Sequence, residues 1–151
     1  RRIIIGMKER GNQPVREYVG AVFAAGLAYL SARGDIPREF TLVPAPTRPR
    51  SARARGGDPV AAVCHTAAQL QRVGVCAALS MGQSTADQSE LNAQDRWANL
   101  QGRVRVHAPI ARAPALLADD VVTTGATLAA SIAALQAAGV EVCGALVFAD
   151  A

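Results

Sequence analysis

Lysine is almost missing from this chain: Lys8 stands alone against fifteen arginines in 151 residues. Aromatic residues make up only 4%, too few for the stack of rings on which single-stranded nucleic acid is usually held. The three cysteines, Cys64, Cys76 and Cys143, form no CxxC pair and each sits in an apolar stretch. They read as small buried thiols, and an odd number of reduced thiols points to a cytoplasmic protein. No apolar run approaches the ~20 residues of a membrane span. Arg1-Arg2-Ile3-Ile4-Ile5 imitates the start of a signal peptide, but its apolar run is short and Lys8-Glu9-Arg10 follows at once. The chain does not begin with Met, which implies processing, trimming or a partial sequence. The two histidines, His65 in mid-helix and His107 at a strand end, belong to no catalytic or metal-ligand spacing and read as structural or surface residues.

What is present is ordinary globular material. Half the residues are apolar and 19% are charged, and the length suits one domain over 1–151 with a sizeable core. The net charge of +4 is a weak sign by itself. The placement of the arginines matters more than their number.

The pattern of elements is α/β. Pro14 opens a helix to about Ser31, with Val15, Tyr18, Val19, Val22, Phe23, Leu27 and Leu30 on one expected face. Phe40–Val43 reads as a buried strand stopped by Pro44 and Pro46. Residues 47–57 read as an Arg- and Gly-rich loop. Asp58-Pro59 starts a helix over Val60–Arg72, with Val60, Val63, Cys64, Ala67 and Leu70 inward. Strands are expected at Val75–Leu79, Val104–Val106, Ala115–Ala118 and Glu141–Ala149, with a helix over Ala126–Ala138. The polar segment 80–102, with a short helix about Ser89–Trp97, is long for a compact domain and so reads as functional or disordered. Strands alternating with helices imply a mostly parallel sheet flanked by helices, with ligands beyond the C-terminal strand ends.

The most informative stretch is Ala115-Leu-Leu-Ala-Asp119-Asp120-Val-Val-Thr123-Thr124-Gly125-Ala126-Thr127. Four apolar residues bury a strand. Two adjacent carboxylates then stand at its mouth, where their repulsion asks for a cation or hydroxyl donors. A turn of small hydroxyl residues leads into a helix N-terminus, whose free N–H groups and dipole favour an anion. Diol acceptors beside a phosphate cradle suit a ribose 5-phosphate. This segment resembles, over all thirteen positions, the 5-phosphoribosyl-1-pyrophosphate (PRPP) motif of type I phosphoribosyltransferases, with Ala126 where many members carry a second Gly. The resemblance implies that Asp119 and Asp120 bind the ribose hydroxyls, directly or through water on Mg²⁺, and that Thr123, Thr124, Gly125, Ala126 and Thr127 hold the 5-phosphate. Mg²⁺ would be bound chiefly by substrate oxygens.

Arg48, Arg50, Arg53 and Arg55 fall within eight residues after the first strand, and guanidinium forks suit phosphate. Lys8-Glu9-Arg10-Gly11, the Pro44–Gly56 loop, Gln88-x-x-Leu91-x-x-x-x-Arg96-x-x-Asn99-x-x-Gly102 and the PRPP motif occur in that order. Taken together they resemble the competence protein F (ComF/GntX) family across essentially the whole chain. The resemblance implies a single-domain type I phosphoribosyltransferase fold with a mobile hood at about 80–102. It implies a pyrophosphate site of Thr47, Arg48, Arg53, Arg55 and Lys8, and hood residues Gln88, Arg96 and Asn99. Arg96, Asp119 and Asp120 would carry catalysis. Where the family commonly continues Arg-Gly-Phe-Asn-Gln, this chain has Arg55-Gly56-Gly57-Asp58-Pro59, and the Cys-rich zinc ribbon common in the family is absent from it.

The expected activity is Mg²⁺-dependent transfer of the phosphoribosyl group from PRPP to an unidentified base or amine, with release of pyrophosphate. The family's link to natural competence implies an alternative: a non-catalytic PRPP- or nucleotide-binding regulator or accessory of DNA uptake, with a protein of the competence machinery as partner. Direct DNA binding through the arginine loop would be a third reading, and the lack of interleaved aromatics argues against it. The oligomeric state is left open.

Overall fold

The computed structural model of the protein describes residues 2–9, 12–47, 49–82, 104–110 and 113–150. Four parallel strands form the central sheet: β1 (Thr41–Pro44), β2 (Gly74–Val75), β5 (Ala115–Val122) and β6 (Val142–Asp150), in the order β2-β1-β5-β6. A separate antiparallel pair joins β3 (Leu79–Met81) to β4 (Val104–Val106). The described helices are α1 (Arg2–Lys8), α2 (Gln13–Arg33), α3 (Pro49–Ala54), α4 (Pro59–Gln71) and α5 (Ala126–Ala137). The α/β class read from the sequence therefore holds.

Strands buried on both faces are apolar at consecutive positions, and alternate residues then serve two cores. Leu42, Leu116 and Ala118 pack with α2 and α4, together with Leu146 and Phe148 of β6. Val43, Ala45, Ala115 and Leu117 pack with Ala130 and Leu135 of α5, beside Leu79 and Val104 of the small sheet. Helix α2, which precedes β1, and α4, which follows it, thus cover one face, and α5, which follows β5, covers the other. The chain leaves β1 and β5 in opposite directions, so the crevice beyond their C-terminal ends is a topological switch point.

Several local expectations are corrected. The 47–57 segment is not all loop, because Pro49–Ala54 turns into a short helix opened by its proline. Arg2–Lys8 is helical despite three consecutive isoleucines, of which Ile3 and Ile5 stay exposed. The expected strand Val75–Leu79 divides between two sheets, with Gly74–Val75 on β1 and Leu79–Met81 on β4. The inward face of α2 is Arg16, Val19, Gly20, Phe23, Ala24 and Leu27, while Tyr18 and Val22 are exposed. The reason is the close approach of α4: a Cβ on Gly20 would stand 2.5 Å from the Thr66 Cβ. On α4, Ala68 is buried and Leu70 is exposed. Of the cysteines only Cys64 is buried, and both histidines are exposed. Among the described residues no helix is long and apolar enough to cross a membrane.

Candidate functional site

The expected strand end lies further along than the apolar run suggests. β5 continues through both acids to Val122 because its pairing with β6 persists: Asp119 lies opposite Val147 and Val122 opposite Asp150. Pairing with β1 stops at Pro44–Ala118, although Ala45 still donates its N–H to the Ala118 carbonyl at 2.7 Å. Asp119 and Asp120 therefore begin where β1 diverges from β5. Continuing the alternation of the strand, Asp120 falls on the α2/α4 face and Asp119 on the α5 face.

The two carboxylates have different surroundings. Asp120 receives an ion pair from Lys8, Nζ to Oδ2 at 2.7 Å, and its side chain is only 11% exposed. Asp119 Oδ1 accepts the Asp120 backbone N–H at 2.8 Å. Burial pushes the Asp119 carboxyl up to about 6; the Asp120 N–H opposes this, the Asp120 charge adds to it, and the Lys8 ammonium pulls it back.

After β5 the chain turns into α5 through Thr123 and Thr124, both exposed, and Gly125, the N-cap, at φ +71°. A left-handed residue at this corner favours glycine. The Ala126 N–H points to the Thr124 Oγ1 at 3.4 Å, a weak contact that leaves the first turn of the helix open to another acceptor. Ala126 itself is buried. A polar cup of about 40 Å³ is lined by Asp119 and by residues 121–128.

On its other side Asp119 borders an open cleft of about 230 Å³, whose walls include Lys8, Thr47, Arg55, Asp120 and Thr127. Pro46, Val60 and Met81 give it an apolar side. The structure thus brings together five groups that the sequence scatters over 120 residues. Thr47 is held there by donating its hydroxyl to Asp58 Oδ1 at 3.0 Å. The same oxygen accepts the N–H groups of Val60 and Ala61, capping α4. Asp58 of the Gly57-Asp58-Pro59 run therefore has a backbone task. Arg53 is exposed on α3 and is not a wall of the cleft. Arg48, Gln88, Arg96 and Asn99 lie outside the described residues, as does the 83–102 stretch of the expected hood.

Sequence reasoning passed over Arg16. It is 5% exposed, and its guanidinium donates to the carbonyls of Met7 (3.2 Å), Glu9 (3.2 Å) and Arg55 (3.0 Å). Its position on the inward α2 face, one turn before Val19 and Gly20, is the only signal that could have marked it.

No family model matches the chain, and no curated protein matches it.

Proposed function

We propose that the cleft binds PRPP and that the protein is a phosphoribosyltransferase. One observation carries the reading: a paired-carboxylate strand end and a helix-N-terminal cup share Asp119 and Thr127 as common walls at the switch point. The cup takes the 5-phosphate through backbone N–H groups of the Thr124–Thr127 turn, where the helix dipole adds to their attraction. Asp119 and Asp120 accept the ribose 2- and 3-hydroxyls. Lys8 and Arg55 line the cleft but not the cup, and would take the pyrophosphate.

Among the described residues no group of three or more acidic, Cys or His side chains could hold a metal by itself. Two adjacent carboxylates nevertheless fit Mg²⁺, which usually takes one or two carboxylates and completes its shell with water and substrate phosphates. Asp119 and Asp120 would hold it, and it would supply neutralisation of the pyrophosphate charge.

Catalysis is positioning and electrostatics. The acceptor nitrogen forms its bond to ribose C1 as the C1–O bond to pyrophosphate breaks, and the acceptor's proton passes to the departing pyrophosphate or to solvent. The protein's own cations stabilise the departing charge, and the apolar wall of Val60 and Met81 keeps water from C1. The test is pyrophosphate release from PRPP with Mg²⁺ against a panel of bases and amines. Release that depends on one acceptor class supports the enzyme. Saturable PRPP binding without release from any acceptor favours the regulator, and no binding at all overturns both.

A further inference from the structure

Two short helices end beside the cleft. α1 ends at Lys8, and its last carbonyls, with those just beyond, have no partner within the helix; α3 ends at Ala54, one residue before Arg55. A cationic residue at or just past each helix end lines the cleft, Lys8 for one and Arg55 for the other. Neither helix could hold itself in water, since helices of seven and six residues are far below the length of a stable isolated helix. Something else must fix their ends.

Arg16 meets both of those ends. Its Nε–H donates to the Met7 carbonyl, and its Nη2 donates to the carbonyls of both Glu9 and Arg55. One guanidinium therefore closes the C-terminal ends of α1 and α3 together. Among the described residues it has no carboxylate partner. Its buried charge is balanced instead by the negative ends of two helix dipoles and three carbonyl oxygens. Arg16 is not a wall of the cleft. We infer that Arg16 is a positioning residue that sets Lys8 and Arg55 at a common spacing for the pyrophosphate end of PRPP. This rests on the phosphoribosyltransferase reading for the identity of the ligand, whereas the clamp itself rests on the three hydrogen bonds.

The planar fork is what the arrangement needs. Three carbonyls from two chain segments require donors fixed relative to one another, which a lysine ammonium on a flexible stem does not supply. A methionine retains much of the stem packing and removes every donor. Should Arg16→Met fail to fold, Arg16→Lys keeps the charge and some of the donors, and is read in the same way.

The experiment combines calorimetry of Mg²⁺-PRPP with amide hydrogen exchange over residues 6–9 and 52–57, in the wild type, Arg16→Met, Lys8→Met and the double variant. The expected result is at least a tenfold weaker PRPP affinity in Arg16→Met and little further loss in the double variant. Exchange should rise together in both segments, which are far apart in sequence. Wild-type binding that survives in Arg16→Met, with only a lower melting temperature, overturns the positioning role. Wild-type protein that does not bind PRPP overturns the ligand reading instead. The exchange data then judge the clamp by themselves: a joint rise upholds it, and unchanged exchange in either segment sinks it.

Discussion

Lys8 Nζ lies 2.7 Å from the Asp120 carboxylate, with the lysine side chain 32% exposed and the aspartate side chain 11% exposed. The pair is asymmetric. Lys8 can turn to water if Asp120 is neutralised, but Asp120 has little water to turn to if Lys8 is removed. Lys8→Met should therefore lower stability at neutral pH by about 1–3 kcal/mol, and Asp120→Asn by clearly less. Thermal melts of both variants at pH 7 check this. Equal losses would mean that the pair is no more than a surface contact.

The Asp119 carboxyl gives a pH signature. Its pKa in the fold is about 6, against an ordinary value of 3.8. The folded state thus holds this proton more tightly than the unfolded chain, and the group favours the fold fully below pH ~4. That contribution is lost as the pH rises through 6. Asp119→Asn should then stabilise the protein at pH 7–8, by up to about 3 kcal/mol, and have no such effect at pH 4. PRPP affinity in the wild type should rise through the same interval as the carboxylate ionises. Melting curves between pH 4 and 8, with and without ligand, measure both effects.

Gly20 tests the packing that positions α2. In an exposed helix interior, alanine for glycine gains about 1 kcal/mol. Here the new Cβ would meet Thr66 Cβ at 2.5 Å, Thr66 Cγ2 at 2.7 Å and the Val63 carbonyl at 3.2 Å. Overpacking of this kind costs about 1–3 kcal/mol, so Gly20→Ala should be destabilising overall. Denaturant titration with Gly20→Ala, alone and combined with Thr66→Gly, separates the contributions, and the second change should return part of the loss.

Much of the architecture was legible because it depends on local signals that no tertiary contact opposes. Asp58-Pro59 announces α4, and Asp58 does cap it. The Leu42-Val43 and Ala115–Ala118 runs are buried on both faces, as central parallel strands must be. What escaped depends on partners distant in sequence. Asp119 and Asp120 lie within β5 because β6 continues to pair there, and nothing in the acids themselves says so. Arg16 is buried because three carbonyls from two other segments meet it, against the usual exposure of arginine. The Thr turn, its glycine and the two acids could be read directly, since their chemistry is contiguous. The convergence of Lys8, Thr47 and Arg55 on them could not be derived from spacing alone.

The three thiols should differ sharply in reactivity. Burial, then the charges of Asp58 and Asp119, push the Cys64 thiol up to about 12. Burial also raises Cys143, which is only half-buried. A thiol reagent at pH 8 should modify Cys76 and Cys143 in the native protein and reach Cys64 only on unfolding. Mass mapping of the labelled sites decides it, and rapid native labelling of Cys64 would contradict the packing of α4 against the sheet.

The central claim is that the Asp119-Asp120 strand end and the Thr123–Thr127 turn form one PRPP site. Calorimetric titration of the wild type with PRPP in the presence of Mg²⁺, beside Asp119→Asn and Asp120→Asn, tests it most directly. The expected result is saturable binding of one PRPP per chain, at least tenfold weaker in each variant. No saturable heat from the wild type up to millimolar PRPP, or affinity unchanged in both variants, would contradict it.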